Sequence, residues 1–456
     1  MADKKKNMVY ITFVTIVATI GGLLFGYDTA VISGAIGFVR EYFDLSATMM
    51  GWVASSALIG CVAGCALAGI LSDLYGRKKM LILSACLFAI SAIGCAASSN
   101  TTGLVLFRMV GGIGIGMASM LSPLYIAEIS PADIRGRLVS YNQFAIVFGM
   151  LLVYFVNYLI AARGSVSWNT DTGWRWMLGS GTIPSVFFLA LLLVVPESPR
   201  WLTKNNHIEK ARSVLIKIGG SQYADKELME INNTGVSENI SFAELFRGKF
   251  RIVLIIGIVL AILQQITGIN VFLYYAPEIF KKLGIGTNTA LLQTIIVGTV
   301  NMTFTVVAIL TVDRFGRKPL MIFGSMGMGI CLLTLGLMAY FQRAELWILI
   351  FILGYIACFA LSVGPVTWVI MSEIFPTRIR GRAMSVATVF LWGANWVVSQ
   401  TFPMMNENPS LVARFHHGFS FWIYGLMCFI LFVFTWKAVP ETKGKSLEEI
   451  EKSLVS

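Results

Sequence analysis

The chain has 456 residues, of which 56% are hydrophobic and only 13% charged, and its formal net charge is +11. A soluble domain carries roughly 25% charged residues, so this composition, with a mean hydropathy of +0.75, excludes a water-soluble globule and leaves a lipid bilayer as the solvent for most of the chain. The basic residues lie in short loops between apolar runs, which makes them a topology signal and argues against a nucleic-acid partner.

Lys4, Lys5 and Lys6 precede a long apolar run with no cleavage site, which reads as a first span rather than a removable signal. A span needs roughly 20 apolar residues. Twelve runs qualify, at 9–33, 50–71, 79–97, 103–127, 138–162, 177–196, 251–281, 288–312, 319–341, 345–372, 383–405 and 417–439. The expected fold is an all-α integral membrane protein of twelve transmembrane helices. Residues 1–196 form the first six-helix bundle, 197–250 a polar cytoplasmic linker, 251–440 the second bundle and 441–456 a cytoplasmic tail. Short surface helices are expected in the linker at 207–218 and 241–247. Of the 35 lysines and arginines, 27 fall on the side of the termini and 7 on the other, with Arg108 inside a span. Both termini are therefore expected in the cytoplasm.

Three motifs occur twice in the same order. G-I-L-S-D-L-Y-G-R-K-K at 69–79 returns as I-L-T-V-D-R-F-G-R-K-P at 309–319. A-E-I-S-P-A-D-I-R-G-R at 127–137 returns as S-E-I-F-P-T-R-I-R-G-R at 372–382, and P-E-S-P-R at 196–200 as P-E-T-K-G at 440–444. Three matches in register point to a duplication, with two parallel repeats related by an axis along the membrane normal. Each copy puts an acid beside a base at the cytoplasmic end of a span. Asp73, Arg77, Glu128, Arg135, Glu197 and Arg200 are expected to form one cluster. Asp313, Arg317, Glu373, Arg380 and Glu441 are expected to form the other. Such charges serve either as a latch of charge-assisted hydrogen bonds closing the cytoplasmic mouth or as solvated loop anchors.

Inside the spans, Asp28 and Arg108 lie at matching depth, about 8–9 Å below the outer surface. A bare charge there costs about 2.5–3.5 kcal/mol. A protonatable acid beside a permanent cation suits proton coupling; the alternative is an ion pair that only holds two helices. A sugar needs side chains that both donate and accept, and flat apolar planes. Gln143, Gln264, Gln265, Asn270, Trp368, Trp392 and Asn395 supply these in mid-span, although buried amides also join helices. Thr267 to Asn270 and Gly364-Pro365 are expected to interrupt their spans. The string G-G-I-G-I-G at 111–116 reads as close helix packing.

These doubled blocks, with P-E-S-P-R-W-L at 196–202, are similar to those of the sugar porter family of the major facilitator superfamily along nearly the whole chain. Within it, G-G-L-L-F-G-Y-D-T-A-V-I-S-G at 21–34, A-S-M-L-S-P-L-Y-I-A-E at 118–128 and Q-Q-I-T-G-I-N-V-F-L-Y-Y-A-P at 264–277 resemble bacterial D-xylose–proton symporters. The resemblance implies proton-coupled symport of D-xylose or a related aldose such as D-glucose by alternating access. It makes Asp28 the proton-linked residue and matches Gln143, Gln264, Gln265, Asn270, Trp368 and Trp392 to sugar contacts. Tyr274 and Phe25 match the aromatic surround, and Gly364 the break near Trp368. Met150 and Leu391 depart from the pattern by replacing amides. A facilitative uniporter and a sugar sensor remain as alternatives, and Asp28 and the short tail argue against them. The expected partners are a monosaccharide, a proton and the lipid bilayer, with the chain working as a monomer. No cofactor, metal or nucleotide site is expected. The seven cysteines lie in apolar runs, and nothing resembles an enzyme's nucleophile and base.

Overall fold

A computed structural model describes residues 7–234, 250–282, 286–342, 346–376 and 379–443. The expected helix at 241–247 lies outside them, as do the side chain of Asp313 and the tail after Lys443. The architecture is all α-helix among the described residues, with six spans on each side of the linker. Spans one to five are Met8–Phe43, Ala47–Tyr75, Arg77–Ala97, Thr101–Ile129 and Arg135–Arg163, and the sixth covers Val166–Val194. The seventh is a broken pair, Phe250–Ile266 and Ile269–Lys282. The eighth and ninth are Thr287–Phe315 and Arg317–Tyr340. The tenth joins Leu346–Cys358 to Gly364–Ile374 through a π-helical turn, Phe359–Val363. The eleventh and twelfth are Arg380–Asn406 and Gly418–Ala438. Among the described residues, eleven spans are long and apolar enough to cross a membrane. The eleventh in chain order is also long, but its buried face carries Thr388, Asn395 and Ser399, which lowers its hydropathy.

Two spans extend ten residues or more past one end of their apolar runs. The first continues from the expected end at 33 to Phe43, so Asp28 lies fifteen residues from the helix end, deeper than the expected depth of about 8–9 Å. The extension carries Gly34, Gly37 and Arg40, which face protein rather than lipid. The sixth begins near 166 instead of 177, through a π-helical turn at Asn169–Gly173. Asn169 Nδ2 holds that turn by donating to the Ala161 carbonyl at 2.9 Å. The linker helix expected at 207–218 is Ile208–Gly219, and the backbone N–H of Asn7 donates to its Ile218 carbonyl at 2.9 Å.

In lipid, neighbouring helices gain little from apolar burial, so they associate by close packing of small residues. Spans two and four do this reciprocally. A Cβ added at Gly60 or Gly64 would meet the Met109 or Ile113 carbonyl. A Cβ at Gly112 or Gly116 would meet that of Ala57 or Cys61. Spans one and five repeat the arrangement, with Gly26 on the Ile146 carbonyl and Gly149 on that of Leu23. Gly112→Val is therefore expected to push spans two and four apart. At about 1–3 kcal/mol for overpacking, it should lower the unfolding midpoint of the purified protein in detergent. A melt that matches the wild type would contradict the packing.

Candidate transport site

The doubled motifs build doubled geometry on the face that carries the termini. Gly76 and Gly316 turn the chain at φ of +102° and +89°, where a Cβ is strained. Each turn presents free N–H groups at the start of the next helix. The Glu197 carboxylate accepts from the N–H of Arg77 at 2.9 Å and of Lys78 at 3.0 Å. In the second half, the Glu441 carboxylate accepts from the N–H of Arg317 and of Lys318, both at 3.1 Å. The Arg77 guanidinium spans Asp73 at 2.8 Å and Glu128 at 3.1 Å. The Arg317 guanidinium meets Glu373 at 3.0 Å. Ser198 and Thr442 close the two copies by donating to Glu128 and Glu373, each at 2.5 Å. Arg135 and Arg380 instead donate to carbonyls at their own helix starts, those of Ser130 and Phe375. Arg200 is exposed and has no ion-pair partner among the described residues. Each cluster thus staples helices within its own half. Between described residues, no hydrogen bond or ion pair joins the halves at this face.

Asp28 and Arg108 are neighbours, close enough to interact electrostatically. They do not form a direct ion pair in this conformation. Arg108 is committed elsewhere: its Nε donates to the Val53 carbonyl at 2.9 Å and its Nη2 to that of Ala54 at 3.3 Å. The glycine packing of spans two and four puts those carbonyls within reach. Asp28 is partly exposed, while Arg108 is buried.

The second-half amides form a directed chain. Asn270 Nδ2 donates to Gln265 Oε1 at 2.5 Å, and Gln265 Nε2 donates to Gln264 Oε1 at 3.2 Å. Gln264 Nε2 donates to the carbonyls of Val363 at 3.2 Å and Gly364 at 2.9 Å, where the tenth span is interrupted. The seventh span breaks at Gly268, φ +89°. The Tyr355 hydroxyl donates to the freed Thr267 carbonyl at 2.9 Å. Each break therefore leaves polar backbone that a side chain from another helix satisfies. Asn395 Nδ2 reaches the Tyr274 hydroxyl at 3.4 Å. Phe25 of the first half and Trp392 of the second meet with ring centroids 5.5 Å apart. Trp392 Nε1 is buried with no hydrogen-bond partner among the described residues. Gln143 and Trp368 are partly exposed, and Met150 and Leu391 are buried. A separate cavity of about 410 Å³ lies toward the opposite face of the second half, lined by Lys282, Phe402, Asn406, His416, His417 and Phe421 among others; none of the candidate sugar contacts lines it.

The halves are joined in mid-span and at the face opposite the termini. Arg40 clasps the Glu407 carboxylate with two donors, at 2.5 and 2.9 Å, and Lys282 adds a third at 3.0 Å. Gln400 donates to the Thr48 carbonyl at 3.1 Å and accepts from Ser55 at 3.0 Å. The Tyr154 hydroxyl donates to the Leu273 carbonyl at 2.8 Å. Lys281 lies 5.2 Å above the Phe38 ring, and Gly37 leaves room for Glu278. Sequence reasoning missed this set. Arg40 and Lys282 read only as loop charges, and no local pattern links Arg40 to a carboxylate 367 residues away.

The chain matches the "Sugar (and other) transporter" family over residues 14–454. It is 50% identical over 475 residues to the D-xylose-proton symporter of Escherichia coli, covering 98% of this chain and 96% of the relative. It is 46% identical over 451 residues to the arabinose-proton symporter of Bacillus subtilis, with the same coverage. Its fold superimposes on the inward-open xylose transporter of E. coli with a TM-score of 0.86 at 48% identity, covering 97% of this chain and 99% of that one.

Burial pushes the Glu407 carboxyl up, but hydrogen bonds from Arg40 and Lys282, and their charges, outweigh it and hold it below the ordinary glutamate value. A carboxyl lowered in this way stabilises the joined face above its ordinary value. That contribution fades as the pH falls through the lowered one. Glu407→Gln should therefore raise the labelling of a cysteine placed at Ser55 by a maleimide severalfold at neutral pH. In the parent protein labelling at neutral pH should stay low. Equal labelling of both at neutral pH would contradict the clasp.

Proposed function

This chain belongs to the sugar transporter family of the major facilitator superfamily, and from that premise we infer that it is a secondary active transporter carrying a monosaccharide together with a proton by alternating access. The observation that carries the proton-coupled reading is Asp28. It is a partly exposed carboxylate inside a span, beside a guanidinium already anchored on backbone. When ionised, Asp28 is attracted to Arg108 and resists leaving it. A proton on Asp28 removes that attraction, and the first span is then free to move relative to the fourth. The cost of a lone charge at membrane depth drives the link between protonation and movement.

The substrate is D-xylose or a related aldose such as D-glucose. Gln264, Gln265 and Asn270, with Asn395, offer donors and acceptors to its hydroxyls. Trp392 Nε1 adds a donor, and Phe25, Tyr274, Trp368 and Trp392 supply apolar surface. Gln143 presents an amide from the first half, so one sugar touches both halves. Gly364 lets the tenth span bend around it. Binding that requires both halves favours closure around the sugar, which turns affinity into movement.

Both termini are cytoplasmic, as the 27 against 7 distribution of basic residues supports. The face joined by Arg40, Glu407 and Lys282 is then external, and this conformation faces inward. Residues 1–196 and 251–440 move as two stapled bodies within one monomer, tied by the linker 197–250. The clusters of Asp73, Arg77, Glu128 and Glu197, and of Arg317, Glu373 and Glu441, keep each body rigid. They supply the charges that meet across the cytoplasmic mouth when the chain faces outward, with Arg135, Arg200, Asp313 and Arg380 at the same rim.

In liposomes with an imposed pH gradient, Asp28→Asn should abolish uphill accumulation of labelled xylose or glucose while sugar exchange continues. Uphill uptake at the wild-type level in that variant would contradict proton coupling through Asp28. Gln265→Ala breaks the amide chain and should raise the half-saturating sugar concentration about tenfold, equivalent to about 1.4 kcal/mol. An unchanged value would exclude Gln265 from sugar recognition.

A further inference from the structure

We propose that Ser91 on the third span and Gly111 on the fourth form the seat of the Asp28 carboxylate, and that the Ser91 hydroxyl sets how readily Asp28 releases its proton. The proposal rests on the reading of Asp28 as the proton carrier and adds the residues that position it.

The glycines at 111–116 do different work. Gly112 and Gly116 admit carbonyls of the second span, and Gly114 faces the Ser84 carbonyl of the third. Gly111 meets side chains instead. A Cβ there would overlap Ser91 Oγ, lie 2.9 Å from Ser91 Cβ and stand 3.0 Å from Asp28 Oδ2. The space that a side chain at 111 would occupy is therefore shared by a hydroxyl from the third span and a carboxylate from the first. Packing alone does not call for two polar groups at one point of an apolar bundle, where each needs a partner.

Ser91 is buried, and its only hydrogen-bond partner among the described residues is Cys95 Sγ at 4.0 Å, a long approach to a weak acceptor. Its proton is free to turn toward Asp28. No direct hydrogen bond joins the two in this conformation, but both border the same space beside Gly111. Arg108, one turn along the fourth span, stays on Val53 and Ala54. The other titratable groups coupled to Asp28 are Cys61 on the second span, Cys95 on the third and Tyr27 beside it on the first. Among the described residues, the fifth, sixth and seventh spans, also packed on the first, bring no charged group that acts on Asp28. The seat therefore balances one fixed cation against one hydroxyl donor. A donor to the ionised carboxylate favours that form, so its loss lets Asp28 keep its proton to higher pH.

The test is proton-driven sugar uptake in liposomes as a function of external pH, with sugar exchange measured on the same preparations. Ser91→Ala should move the alkaline limb of driven uptake toward higher pH by about one unit, while Ser91→Thr, which keeps the hydroxyl, should follow the wild type. Gly111→Ala fills the seat and should lose driven accumulation while retaining exchange. Should Gly111→Ala fail to fold, the serine pair decides. Superimposed profiles for Ser91→Ala and wild type overturn the proposal. Asp28→Asn is run beside them. Loss of accumulation in Asp28→Asn with an unmoved Ser91→Ala profile sinks the seat alone, whereas accumulation that survives Asp28→Asn sinks the proton assignment itself.

Discussion

A guanidinium cannot remain bare inside a bundle bathed in lipid, and the first half satisfies Arg108 through the close packing of its helices. Its donors go to the Val53 and Ala54 carbonyls of the second span. Helical carbonyls are normally shielded by side chains, and these are reachable because the second and fourth spans touch backbone to backbone at Gly60, Gly64, Gly112 and Gly116. Close packing therefore comes first and the charge is placed by it. The anchored cation then gives Asp28 something fixed to be attracted to. An arginine that followed the aspartate would carry no information between helices; one tied to a third helix does.

The duplication supplies the frame and its breakdown supplies direction. Gly76 and Gly316 turn alike, Glu197 and Glu441 cap alike, and Arg77 and Arg317 clasp alike. These networks act within halves, which suits bodies that must move as units. The contacts between halves have no such symmetry. They run from the Phe25–Trp392 ring contact to the Arg40–Glu407 clasp, so among the described residues the halves are joined on one side of the candidate sugar contacts and not on the other. Exposed ion pairs contribute little singly. Here one carboxylate takes three donors, two of them from a single arginine, and that geometry distinguishes it from a surface pair.

Much of this was legible in the sequence because the motifs are local. D-x-x-G-R-K needs a positive-φ glycine followed by free N–H groups, and both copies fold that way. The breaks at Gly268 and near Gly364 were readable from Gly and Pro inside apolar runs. The hydropathy boundaries failed where a helix faces protein instead of lipid. The apolar run of the first span stops at 33 because Gly34, Gly37 and Arg40 lower its apolarity, yet Gly34 packs on Asn157 of the fifth span and Gly37 and Arg40 are where the helix meets the second half. An apolar count measures contact with a bilayer, not helix length. The Arg40–Glu407 pairing and the carbonyl partners of Arg108 had no local signature. Both are set by which helices lie side by side, which no window of sequence encodes.

The central claim is that one carboxylate carries one proton per sugar. It is tested most directly at equilibrium, in liposomes held at zero membrane potential with a fixed pH difference, by measuring the sugar ratio across the membrane once net flux stops. A single coupled proton predicts about a tenfold ratio for each pH unit. A ratio that stays at one whatever the pH difference, or rises about a hundredfold per unit as two protons would require, would contradict it.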